Sequence, residues 1–297
     1  IKTIYNNNKN IIIYLIYNKI YNNNKCIIKI YNKYIIIIKK KEVNSSDLPT
    51  FQQFKWYRFS VSWPRILPTG FPDKINADGV QYYHNLIDEL KANGIEPMLT
   101  LYHWDHPQVL EDMGGWLNEE MVYWFGDYAR IVFREYASKV TKFVTINEPT
   151  SICKNGYTLG IHAPAKHLYG FGEYMCIHNV LKSHAVAYRI YESEFKSIHG
   201  GEVGVLVNPM AYMPKTFEFD ATAETSFQFN VGWTMHPIFS EEGDYPPVMK
   251  QLVANRSKAE GFTKSRLPVF NEYWINLIRY WRILFSFEWN RSVGWDI

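Results

Sequence analysis

The chain has 297 residues, 32 Lys and Arg against 29 Asp and Glu, and a formal net charge of +3. Nine of the lysines and none of the acids fall in residues 1–41; setting that segment aside turns the charge to −6, which leaves no basic surface to suggest a nucleic-acid partner. Cys26, Cys153 and Cys176 form neither a disulfide framework nor a metal-ligand spacing.

In chain order, the first segment is compositionally extreme. All but three of its first forty residues (Thr3, Leu15 and Cys26) are Ile, Asn, Lys or Tyr, which share codons made only of A and T. Residues 1–46 are therefore expected to be a low-complexity leader rather than a domain. Its apolar runs, 11–16 and 35–38, are too short and too interrupted by Asn and Lys to span a membrane, and no signal peptide is visible.

From Phe54 onward, short β-rich runs alternate with helical patterns, as in βα units around a parallel sheet. The first run, Tyr57 to Trp63, places Phe59, Val61 and Trp63 on one face and Arg58, Ser60 and Ser62 on the other. Asn76 to Asp78 cap a helix with Val80, Tyr83, Leu86, Ile87 and Leu90 at helical spacing, ending at Asn93-Gly94. A second strand is expected from Glu96 to Tyr102. Asn118, Glu119 and Glu120 open a helix carrying Met121, Phe125, Tyr128, Val132 and Tyr136. A third strand runs from Lys142 to Asn147 and stops at Pro149. A helix from about Glu173 to Phe195 leads through Gly200-Gly201 to a fourth strand, Val203 to Asn208.

Chemistry-bearing residues cluster at the strand ends, where parallel barrels build their sites. Glu148, beside Asn147, suits proton transfer to a glycosidic oxygen, for which burial and a neighbouring carboxylate keep the proton in place. The same Asn-Glu-Pro also makes an ordinary strand-to-helix turn. Strict alternation sends Asn147 and Glu148 to opposite faces, so a shared ligand requires a twist or a bulge. His103 can hydrogen-bond a substrate hydroxyl while Trp104 or Trp116 offers an apolar face; packing and turn hydrogen bonds are the plainer reading. His103 and His106 lie three apart, but without further ligands they do not make a metal site. Arg58, inside a strand, calls for a carboxylate partner if buried, or sits exposed at the rim. Asn44, Asn255 and Asn290 begin N-glycosylation triplets of a kind that chance produces often.

The ordered motifs are Tyr57-Arg58-Phe59-Ser60-Val61-Ser62-Trp63-Pro64-Arg65, Tyr102-His103-Trp104-Asp105 and Thr145-Ile146-Asn147-Glu148-Pro149, followed by Phe229-Asn230-Val231-Gly232-Trp233, Gly243-Asp244-Tyr245-Pro246 and Ser265-Arg266-Leu267-Pro268. With them the chain resembles the family 1 glycoside hydrolases, the β-glucosidase, lactase-like and myrosinase group, and insect members most, from about Tyr57 to Arg279. The resemblance implies an α/β fold, a (β/α)₈ TIM barrel, here incomplete. Residues 47–279 would hold about its second to fifth strands, and 280–297 would be a divergent tail. It implies a retaining glycosidase that hydrolyses the O-glycosyl bond of β-glucosides, with no metal or organic cofactor, and secretion, as is typical of animal relatives. Glu148 would be the general acid/base, Asn147 the contact to the sugar 2-hydroxyl, His103 and Trp104 part of the glycone subsite, and Arg58 the support of the nucleophile.

The departures are as specific. The family's nucleophile lies in a Thr-Glu-Asn-Gly motif, which does not occur in this chain; Glu288, beside Trp289 and Asn290, imitates it weakly. The family's first strand, with a glycone-binding Gln, should precede residue 54, where the leader stands. Two alternatives therefore accompany the glycosidase reading: an inactive or merely sugar-binding remnant, and a member of another retaining barrel family, against which the Tyr-Arg-Phe-Ser and His-Trp-Asp motifs argue.

Overall fold

The computed structural model describes residues 26–31, 34–39, 55–209 and 220–279. Within the segment expected to be a leader, the Ile-rich strands β1 (Cys26–Tyr31) and β2 (Tyr34–Lys39) pair antiparallel. The main sheet is parallel, with β3 (Trp56–Ser60), β4 (Glu96–Tyr102), β5 (Lys142–Asn147) and β6 (Glu202–Leu206) side by side in chain order. Parallel neighbours need long crossovers, and the helical segments supply them. They are α1 (Trp63–Ile66) and α2 (Ala77–Ala92) after β3, α3 (Gln108–Asp112) and α4 (Met121–Tyr136) after β4, and α5 (Pro149–Ile152), α6 (Gly172–Ile190) and α7 (Lys196–His199) after β5. Beyond β6 come α8 (Asp220–Phe227), α9 (Trp233–Phe239), α10 (Pro247–Ala259) and α11 (Glu272–Arg279).

The sequence pattern explains most boundaries. β4 and β5 begin and end where expected, and β5 stops because Pro149 cannot donate to a ladder. The first barrel strand differs: it ends at Ser60, and Trp63, expected in it, opens α1, whose first turn holds Pro64 at a position that suits proline. The expected face separation holds, with Phe59, Val61 and Trp63 buried and Arg58 and Ser60 half-buried. Asn76 does precede α2, but its amide donates to the Arg65 carbonyl at 3.0 Å instead of capping the helix.

The apolar stripes of α4 and α6 meet against the sheet. Gly126 allows the close approach: a Cβ there would stand 2.8 Å from Val186 Cγ1. Aromatic residues fill the layer between helices and strands. Phe133 lies edge-on to Phe143 at 5.2 Å and to Tyr191 at 4.9 Å, and Trp63 stacks on Tyr128 at 4.6 Å. The polar tips are used: the Tyr128 hydroxyl donates to the Leu101 carbonyl at 2.8 Å, and Thr145 Oγ1 meets His184 Nδ1 at 2.7 Å.

The cysteine expectation needs correction. Cys153 and Cys176 form a disulfide across a sequence separation of 23, because a π-turn after α5 lies against α6 and brings their Cα atoms to 5.5 Å. Of the glycosylation triplets, Asn255 is exposed in mid-α10, but Ser257 is buried and donates to the Val253 carbonyl at 2.7 Å. Asn44, Asn290, Glu288 and the expected site of the Gln lie outside the described residues. Among the described residues, no helix is long and apolar enough to cross a membrane.

Candidate active site

The C-terminal ends of β3, β4 and β5 come to one edge of the parallel sheet and bring five sequence-selected residues with them. Arg58, half-buried on β3, donates from Nη1 to Asn147 Oδ1 at 2.9 Å and reaches Thr100 Oγ1 at 3.5 Å. These hydrogen-bond partners are neutral. The carboxylate sensed by the guanidinium is Glu148: burial lowers the Arg58 pKa, and the Glu148 charge opposes that. Asn147 is buried, and its Nδ2 has no hydrogen-bond partner among the described residues. A buried amide hydrogen left unbonded is costly, so this group is poised for an acceptor.

How Asn147 and Glu148 serve one edge is visible in the backbone. On β5 Val144 pairs with Gly204 and Asn147 with Leu206, three steps against two, which is a bulge. Glu148 then takes φ 52° and ψ 67°, a left-handed conformation that costs a non-glycine residue about 1–3 kcal/mol. Its N–H is held by the Leu206 carbonyl at 2.7 Å. Bulge and turn together interrupt the alternation that would part the two side chains.

The β4 end carries the second left-handed residue, Trp104, with φ 78°. Its Nε1–H donates to the Asn147 carbonyl at 2.8 Å, tying the β4 end to the β5 end, and its ring lies 5.4 Å from that of His162. His103 stands exposed beside it. Its imidazole pKa is lowered by the desolvating protein around it and by the Arg58 charge, against a raising influence from Glu148. Arg58, His103 and Glu148 thus feel one another's charge across three strand ends, while Asn147 is hydrogen-bonded to the first.

Two further residues raised by the sequence have interior partners. Trp116 is fully buried, donating from Nε1 to Tyr102 Oη at 3.0 Å, so it has no face to offer a sugar. His106 has both ring nitrogens engaged, bridging Tyr102 Oη at 3.0 Å and Glu111 Oε2 at 3.2 Å. Glu111, His162 and Tyr157 went unnoticed in the sequence. Their signal is purely spatial, since Tyr157 and Glu111 are 46 residues apart yet share a 2.6 Å hydrogen bond.

The family model for glycosyl hydrolase family 1 matches residues 23–288. Myrosinase 1 of Brevicoryne brassicae is 43% identical over 228 residues, 76% of this chain and 48% of that protein. The cytosolic β-glucosidase of Cavia porcellus is 41% identical over 73% of this chain and 46% of its own length. Among solved structures, an aphid myrosinase superposes with a TM-score of 0.74 at 42% identity, covering 77% of this chain and 49% of its own. The chain thus spans about half the length of the curated relatives it matches, and its four parallel strands are part of a TIM barrel. By its fold, its strand-end motifs and these matches, the chain belongs to glycosyl hydrolase family 1.

Proposed function

We propose that this chain carries the acid/base half of a retaining β-glycosidase site for β-glucoside-like substrates, with Glu148 as the general acid/base. The observation that carries the reading is the grouping of Glu148 with Arg58, His103 and Asn147 at one sheet edge, made possible by the bulge and the left-handed turn after β5. In this chemistry a second carboxylate attacks the anomeric carbon while Glu148 gives its proton to the departing glycosidic oxygen. Glu148 then takes a proton from the water that releases the sugar. The unbonded Asn147 Nδ2–H donates to the 2-hydroxyl, His103 to another hydroxyl, and Trp104 lays its ring along the sugar face. Arg58 stabilises negative charge on the attacking carboxylate.

The second carboxylate is not present here in a Thr-Glu-Asn-Gly motif. On that ground we assign sugar binding without turnover to the 297 residues alone, and hydrolysis to the site once the missing strand is supplied. The test fuses the Thr-Glu-Asn-Gly-bearing half of a family relative after Arg279. The 297-residue chain should leave p-nitrophenyl β-D-glucoside and cellobiose intact, and the fusion should hydrolyse both. Glu148→Gln in the fusion should cost about 10²–10⁴-fold on cellobiose, and much less on the nitrophenyl glucoside, whose leaving group needs little protonation. Full cellobiose activity in that variant would remove Glu148 from the role.

A further inference from the structure

Behind the β4 end lies a buried hydrogen-bonded chain that touches none of the groups assigned to the sugar. Tyr102 and His106 flank the segment bearing His103 and Trp104, and their side chains meet, Tyr102 Oη to His106 Nδ1, at 3.0 Å. Five residues are thereby closed into a loop whose central residue holds a positive φ. His106 Nε2 continues to Glu111 Oε2 at 3.2 Å, and Tyr157 donates to the same oxygen at 2.6 Å. Trp116 completes the chain, giving its backbone N–H to Tyr157 Oη at 3.1 Å and its indole N–H to Tyr102 Oη at 3.0 Å. Lys166 Nζ lies 3.7 Å from the other Glu111 oxygen, which has no hydrogen bond among the described residues.

The donors and acceptors of these bonds form one consistent set. Tyr102 accepts from Trp116 and donates to His106 Nδ1; His106 carries its hydrogen on Nε2 and donates to Glu111; Tyr157 accepts from Trp116 and donates to Glu111. Gly115 makes room for this: it sits at φ 54°, and a Cβ there would overlap the Glu111 carboxylate and the Tyr157 hydroxyl. The carboxylate is the anchor, because hydrogen bonds from His106 and Tyr157 hold the Glu111 pKa down against the opposing effect of burial.

We propose that Glu111, through His106 and Tyr102, is a positioning residue for the glycosidase reaction, clasping the turn that presents His103 and Trp104. This rests on the proposed sugar site. Glu111 does not touch substrate. Its effect is to hold the indole of Trp104 where its N–H meets the Asn147 carbonyl at 2.8 Å, so that a sugar finds the ring already in place.

The experiment compares the full chain with Glu111→Leu and Glu111→Gln by NMR of the indole N–H groups, with Trp104 identified by its loss in Trp104→Phe. The indole of Trp63, bonded to the Gly70 carbonyl at 3.1 Å, is the control. In Glu111→Leu the Trp104 N–H should shift and exchange with solvent at least about tenfold faster while Trp63 stays unchanged, and affinity for the glucose mimic deoxynojirimycin should fall about tenfold. Glu111→Gln, whose amide oxygen still accepts from His106 and Tyr157, should restore both. If Glu111→Leu does not fold, Tyr157→Phe takes its place and should move Trp104 the same way by less. An unchanged Trp104 signal overturns the clasp, and so does unchanged affinity in a variant of a chain that binds the mimic. Absence of binding by the unaltered chain would instead overturn the sugar-site reading and leave the indole signal to decide the clasp.

Discussion

The helix-covered side of the sheet and its C-terminal edge are built from the same strands and follow opposite rules. Between the sheet and α4 and α6, rings pack edge to face and buried hydroxyls such as that of Tyr128 find carbonyls. At the edge, two non-glycine residues hold left-handed backbone, an asparagine hydrogen is left without a partner, and a guanidinium is half-buried. One region is relaxed and satisfied; the other is strained and poised. The contrast indicates that the sheet's stability comes from one side, while the other holds the groups proposed to meet the sugar.

The largest break in that contrast should come from the relaxed side. Phe133 touches Phe143, Tyr191 and Phe195, so Phe133→Ala should cost about 3–5 kcal/mol in urea unfolding. A loss below about 1 kcal/mol would mean that this layer does not carry the fold. The next effect depends on pH. Burial lowers the pKa of His184 to about 3, and burial together with the Lys182 charge does the same for His178. Above pH 6.5 both are neutral in either state and cost nothing. As pH falls from 6.5 toward 3, the unfolded chain takes up protons that the folded chain refuses, so stability declines, by at most about 1.4 kcal/mol per pH unit for each histidine. His184→Gln should flatten the slope of unfolding free energy between pH 6 and 4.5 and leave it unchanged above pH 7. An identical slope in the variant would show that His184 is protonated in the fold.

These two regions were not equally legible. The covered side was written in periodicity: α4 follows the spacing of Met121, Phe125, Tyr128, Val132 and Tyr136, and β5 its run of β-branched residues up to Pro149. Pattern misled at Trp63, where alternation continued on paper while Pro64 started a helix. The Cys153–Cys176 bond was invisible because a separation of 23 residues says nothing about distance in space. At the edge, the positions of Arg58, His103, Trp104, Asn147 and Glu148 near strand ends could be read from motifs, but the bulge that sets Asn147 and Glu148 together could only be required. The partners of His106, Tyr102 and Glu111, are not readable from its spacing to His103 and emerge only in space. Between a sugar-facing Trp116 and a packed one the sequence left both open, and the fold takes the packed one, with Tyr102 and Tyr157 accepting from its two N–H groups.

The smallest effect is the most pointed, because it runs opposite to the usual direction of mutation. Glu148 is strained at φ 52°, and glycine adopts that conformation without a Cβ clash. Glu148→Gly should therefore raise unfolding stability by about 1 kcal/mol, the relief of strain less the extra chain entropy that glycine loses on folding. Losing the carboxylate beside Arg58 works the other way, and Glu148→Gln measures that loss alone, since it removes the charge and keeps the Cβ. Arg58 keeps its bonds to Asn147 and Thr100 in both variants, so the charge loss should be small. The order of stability should then be Gly above Glu, with Gln near or just below Glu. If Gly is no more stable than Gln, the turn after β5 stores no strain, and the edge differs from the covered side in its polar groups alone.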